Sequence, residues 1–121
     1  MNVTGAKPAI CIVMPVFNDW TALPQLLNNL ADAFRSSGTV LDIILVNDAS
    51  TEAYDFEIAP SPVRDVISEI MIVDLRVNVG HQIAIAAGLQ FAQQHKSYTA
   101  VLIMDADGED QPHDAARFHQ H

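Results

Sequence analysis

The chain has 121 residues, half of them hydrophobic, with six basic against fifteen acidic residues and a formal net charge of −9. That length and apolar content suit one ordinary domain with a real core, and no segment reads as low-complexity. The charge excludes a nucleic-acid surface, which needs clustered Lys and Arg, and disfavours direct adsorption of this chain to an anionic membrane. A protein this acidic binds an acidic ligand most readily with a cation between them.

In chain order, Lys7 alone precedes the apolar run AICIVMPVF, which Pro15 interrupts, so no signal peptide is expected. No run reaches the length of a membrane span. A soluble, cytoplasmic protein is the expectation. Cys11, the single cysteine, lies inside the apolar run and is read as a small buried hydrophobe. Four Ile- and Val-rich runs predict strands: AICIVM (9–14), DIILVN (42–47), EIMIVDL (69–75) and AVLIMD (100–105). They are continuous rather than alternating, as in a parallel sheet covered on both faces.

Between the first two, WTALPQLLNNLADAFRSSG places Trp20, Leu23, Leu26, Leu27, Leu30 and Phe34 at helical spacing. Pro24 falls near the helix start, where it is tolerated, and Gly38 sits where a C-terminal cap is wanted. Before the last strand, GHQIAIAAGLQFAQQH predicts a second helix. It carries Ile83, Ala87, Leu89 and Phe91 with small residues between them, and Ala84, Ala86, Ala87 and Gly88 would let it lie close against a sheet. Thr51 to Val66 reads as an irregular connection. The order of elements predicts a doubly wound, Rossmann-like α/β domain, mostly parallel, with helices on both faces.

In such folds the ligand sits beyond the carboxyl ends of the strands. The four strands here run into MPVFND, VNDAST, LRVNVGHQ and DADGED, so four polar loops are predicted to share one edge. No GxGxxG follows the first strand and no GxxxxGK[ST] occurs, which removes the dinucleotide and P-loop readings. An EF-hand loop counted from Asp105 fails as well, with Asp110 where glycine belongs and Ala116 where Glu belongs. What remains is Asp105-x-Asp107 at a strand end. Such a pair either holds a hard cation such as Mg²⁺ or Mn²⁺, leaving positions open for phosphate, or simply caps a solvated turn. Asp48 suits hydrogen bonds from a nucleoside or an Asx turn with Ser50. Arg76 suits a phosphate or a neighbouring carboxylate, and Asn78, Gly80 and His81 open a helix whose N–H groups favour an anion.

In this order and at these separations, IVMPVFNDW, ILVNDAS, LRVNVGHQIAIAAGL and VLIMDADGEDQP resemble the N-terminal half of a family 2 glycosyltransferase. Dolichol-phosphate mannosyltransferase-like and polyprenyl-phosphate sugar transferases belong to that family. The resemblance implies a GT-A fold that binds a UDP- or GDP-linked sugar through a divalent metal. It also implies inverting transfer to an acceptor, at a membrane if the acceptor is a polyprenyl phosphate. Pro15, Val16, Phe17 and Asn18 match the loop holding base and ribose. Asp48 matches the second of two acidic nucleoside-contacting positions, while Asn47 replaces the first. Arg76, Asn78 and Gly80 match the loop near base and phosphates. Asp105 and Asp107 match the metal- and ribose-binding Asp-x-Asp.

One departure is that such domains continue well past this motif, whereas the chain ends at His121, fourteen residues after Asp107. The expectation is therefore a donor-binding half without its catalytic base, inactive alone and inclined to self-associate through uncovered apolar surface. Two other readings compete. A non-catalytic nucleotide- or metal-binding module would bind without turnover. A haloacid dehalogenase-type phosphatase would want its Asp-x-Asp-Gly on the first strand and a lysine downstream. Here the motif follows the fourth strand, and no lysine comes after it.

Overall fold

The computed structural model describes residues 9–52 and 65–106. Its four strands are β1 (Ala9–Val16), β2 (Val40–Asn47), β3 (Ile67–Asp74) and β4 (Ala100–Ile103). Its two helices are α1 (Leu23–Arg35) and α2 (His81–His95). The strands form one sheet in the order β3-β2-β1-β4, with every pairing parallel. The expected irregular connection falls largely on residues 53–64, outside the described residues.

The alternation of side chains along β1 builds two cores. Ile10, Ile12, Met14 and Val16 pack with Leu23, Leu27, Leu30 and Phe34 of α1, together with Leu41, Ile43 and Leu45 of β2. Cys11 and Val13 point the other way, toward Ala84 and Ala92 of α2 and toward Ile44 and Val46 of β2. Burial therefore claims both faces of the central strands, which is why these runs are continuously apolar.

A short 3₁₀ turn, Trp20–Ala22, feeds α1, and Pro24 occupies its first turn, where no intrahelical N–H is required. At its other end the Ser37 hydroxyl donates to the Phe34 carbonyl at 2.6 Å. Gly38 then takes φ +72° to turn the chain into β2.

Two predicted details differ. β1 runs two residues further than its apolar run, through Pro15 and Val16. Pro15 is tolerated in this central strand because its missing N–H faces the β4 side, where pairing has stopped at Val13↔Ile103. In α2 the expected close approach through small residues holds at Ala84 and Gly88, whereas Ala86 is exposed. Ala84, Gly88 and Ala92 are the buried positions, whereas Ile83 is 60% exposed and Leu89 is exposed as well. The small residues at four-residue spacing bring the helix backbone down onto β1 and β2.

Gly88 sets that approach. A Cβ there would lie 2.4 Å from Val13 Cγ1 and 2.8 Å from Val46 Cγ2. Both neighbours are β-branched and buried, so neither can swing aside. Gly88→Ala should gain up to about 1 kcal/mol of helix propensity and lose about 1–3 kcal/mol to overpacking. The expected outcome is a lower urea midpoint with an unchanged m-value; a raised midpoint would show that the helix is free to lift.

Candidate functional site

The sheet order places the site. The chain steps outward from β1 to β2 to β3, then returns to the far side of β1 for β4. The direction in which strands are added therefore reverses between β1 and β4, and in open α/β sheets a crevice lies at such a switch point. A cleft of about 390 Å³ lies there, lined by Pro15, Val16, Phe17, Asp19, Asp48, Asn78, Gly80, His81, Asp105 and Ala106. Residues from all four strand-end loops meet around it.

Asp48 organises the floor. It follows β2, is 4% exposed, and its N–H donates to the Val16 carbonyl at 2.9 Å. Its Oδ1 accepts the Val79 N–H at 2.7 Å, and its Oδ2 accepts the Gly80 N–H at 3.0 Å and the Asn78 Nδ2–H at 3.1 Å. Asn78 Nδ2 also donates to the Asp48 carbonyl at 3.0 Å. A buried carboxylate is costly unless donors surround it, and here the entry to α2 supplies them. The bonds in turn hold Gly80 at φ +93°, the backbone state that starts α2 at the cleft.

Asn18 joins the loop after β1 to the loop after β2. Its N–H donates to Ser50 Oγ at 3.0 Å, its Nδ2–H to Thr51 Oγ1 at 2.9 Å, and its Oδ1 accepts the Glu52 N–H at 2.9 Å. It does so at φ +62°, which asparagine tolerates better than most residues. Asn47 does comparable work beside it, donating to Asp74 Oδ1 at 2.9 Å and accepting the Ser50 N–H at 3.0 Å. Asn18 and Asn47 thus brace the cleft from outside its lining, and Arg76 is exposed beyond that lining.

The cleft wall opposite Asp48 comes from β4. Asp105 has a side chain 35% exposed, and its Oδ1 lies 3.1 Å from Nε2 of His81, the first residue of α2. Phe17 presents an aromatic ring that is 45% exposed at the mouth. Asp19, which sequence reasoning passed over, adds another carboxylate to the lining. Its only signal was its place directly after the bracing Asn18. His81 looked unremarkable in sequence, and its proximity to Asp105 depends on the β1–β4 pairing. Asp107, Glu109, Asp110 and His113 lie outside the described residues.

Comparison with known proteins supplies the family and the fold. The profile of "Glycosyl transferase family 2" matches residues 11–120. Curated relatives include the undecaprenyl-phosphate 4-deoxy-4-formamido-L-arabinose transferases of Salmonella paratyphi B and Salmonella typhimurium. Each is 29% identical over 108 residues, covering 89% of this chain and 32% of the relative. The chain thus spans about a third of the length of these relatives. Among solved structures, a mannosyltransferase from Pyrobaculum calidifontis, in complex with GDP-Man and Mn²⁺, superposes with a TM-score of 0.54 at 25% identity. That match covers 85% of this chain and 28% of the mannosyltransferase.

Ala49 provides a test of the loop geometry. It holds φ +55° between Asp48 and Ser50, a state that costs a residue with a Cβ about 1–2 kcal/mol. Glycine adopts it freely but loses about 0.5–1 kcal/mol of unfolded-chain entropy. Ala49→Gly should therefore stabilise the protein by roughly 0.5–1 kcal/mol, read as a raised denaturation midpoint. A lowered midpoint would contradict the described turn.

Proposed function

The chain belongs to glycosyl transferase family 2, and on that footing we propose that it forms the nucleotide-sugar-binding part of a sugar transferase. The observation that carries this reading is the cleft at the switch point, where an exposed aromatic ring and several carboxylates meet a helix N-terminus. Phe17 offers a stacking face for the base. Pro15, Val16, Asn78 and Gly80 shape the space beside it, and Asp48 holds Asn78 and Gly80 in place. Arg76 and Asn18 act at its margin, the first through charge and the second by bracing the two loops.

The donor in this reading is a UDP- or GDP-linked sugar. The solved mannosyltransferase that resembles the chain is bound to GDP-Man and Mn²⁺. Asp19 and Asp105 face the same cleft, and a diphosphate enters an acidic cleft only when a cation offsets the repulsion. The described donors fit such an ion: Asp105 is a partly exposed carboxylate at the cleft, a hard oxygen ligand suited to Mg²⁺ or Mn²⁺. Asp105 and Asp107 would hold the ion. When bound it supplies positive charge to the leaving diphosphate. His81 stands beside that carboxylate, its Nε2 3.1 Å from Oδ1.

Transfer itself joins an acceptor oxygen to the anomeric carbon as the bond to the nucleoside diphosphate breaks, with inversion. The acceptor is a polyprenyl phosphate in the names of the curated relatives, and the proposal extends that class to the whole protein, acting at a membrane surface. Among the described residues no helix is long and apolar enough to cross a membrane. None of them is assigned as the base that activates the acceptor.

Calorimetric titration of GDP and UDP, with Mn²⁺ and again with EDTA, tests the reading. Saturable binding of one nucleotide should vanish with EDTA and weaken at least about tenfold in Asp105→Ala and Asp107→Ala. Phe17→Ala should lose about 1–3 kcal/mol if the base stacks there. Binding that ignores EDTA and both aspartate variants would overturn the metal-bridged donor site.

A further inference from the structure

The far edge of the sheet holds a second cluster of ionisable groups, remote from the cleft. Asp42 stands near the start of β2, in register with Cys11 of β1 on one side and Glu69 of β3 on the other. It is 2% exposed. Its Oδ2 accepts the Tyr98 hydroxyl at 2.8 Å and pairs with Lys96 Nζ at 2.8 Å. Its Oδ1 is buried and has no hydrogen-bond partner among the described residues. A buried carboxylate oxygen without a donor is destabilising, and a cation or a donor beside it would relieve that cost.

Two further ligand groups stand beside it. His95, the last residue of α2, has Nε2 2.8 Å from Glu69 Oε2. One ligand atom from each of Asp42, Glu69 and His95 lies within 4.8 Å of the other two. Three ligand atoms converging from three separate elements, one of them on a deeply buried carboxylate, is the arrangement of an open metal site. We propose that Asp42, Glu69 and His95 bind a divalent transition-metal ion of the zinc class, with water completing the shell.

The donor chemistry selects the ion. One imidazole nitrogen with two carboxylate oxygens suits Zn²⁺ better than Mg²⁺ or Ca²⁺, which prefer oxygen alone. The local charge also leaves room for it. Lys96 offsets one of the two carboxylates. It pairs with Oδ2, and its side chain is partly exposed on a flexible stem that can swing aside. A bound ion would tie β2, β3 and the C-terminal turn of α2 together.

Isothermal titration of Zn²⁺ into the chain, with thermal unfolding in parallel, tests the site. With the cleft's own carboxylates removed by Asp105→Asn and Asp107→Asn, the chain should still bind one Zn²⁺ and melt at a higher temperature with it. His95→Gln and Glu69→Gln, each added to that background, should weaken the binding at least about tenfold. The His95 and Glu69 side chains are partly exposed, and far-UV circular dichroism checks that each variant is folded. No Zn²⁺ binding in the Asp105→Asn, Asp107→Asn background would overturn the proposal. So would binding there that survives both His95→Gln and Glu69→Gln.

Discussion

One buried carboxylate holds the candidate site together. Asp48 takes the N–H groups of Val79 and Gly80 and the side-chain amide of Asn78, while its own N–H is tied to Val16. Through these bonds the end of β1, the end of β2 and the start of α2 become one rigid unit. Each bond to a charged acceptor in a dry setting is stronger than an ordinary hydrogen bond, and leaving the carboxylate without them would be severe. The remaining cleft residues inherit their positions from this arrangement. Gly80 starts α2 where it does, so His81 comes to stand beside Asp105.

The helix that begins there descends across β1 and β2 on its small residues. Gly88 permits contact with Val13 and Val46, and Ala84 and Ala92 continue the same stripe. Close packing keeps the helix axis in register with the sheet, which aims its N-terminus at the switch point. At the other end α2 delivers His95 and Lys96 to Glu69 and Asp42. A single helix thereby contributes to the cleft at one edge of the sheet and to the acidic cluster at the other.

Much of the fold was legible in the sequence because burial on both faces leaves a plain mark, the unbroken runs of Ile and Val in β1 and β2. The strand-end position of the site followed from the same reading, with Asp48, Asn78, Gly80 and Asp105 in the loops it singled out, whereas Pro15, Val16 and Phe17 entered only through the family resemblance; all seven line the cleft. Other features left a misleading trace or none. On α2 the sheet takes Ala84 and Gly88, as their size suggested, but nothing in the sequence said that Ile83 and Leu89 would be left exposed. Asn18 was matched only to a ligand-holding loop, and its three bonds to the loop after β2 exist only once β1 and β2 pair. Asp42 looks like a strand boundary, and its partners Tyr98, Lys96 and Glu69 lie far along the chain. In each case the decisive neighbour is distant in sequence, which local pattern cannot convey.

The central claim is that the cleft exists before any ligand arrives, because Asp48 builds it. Amide hydrogen exchange of Val79 and Gly80 in the ligand-free chain, compared with Asp48→Asn, tests this directly. An asparagine retains one acceptor oxygen and turns an N–H toward donors, so both amides should lose protection and the loop should open. Unchanged protection of Val79 and Gly80 in the folded variant would contradict the account, since the loop would then be held by something other than this carboxylate.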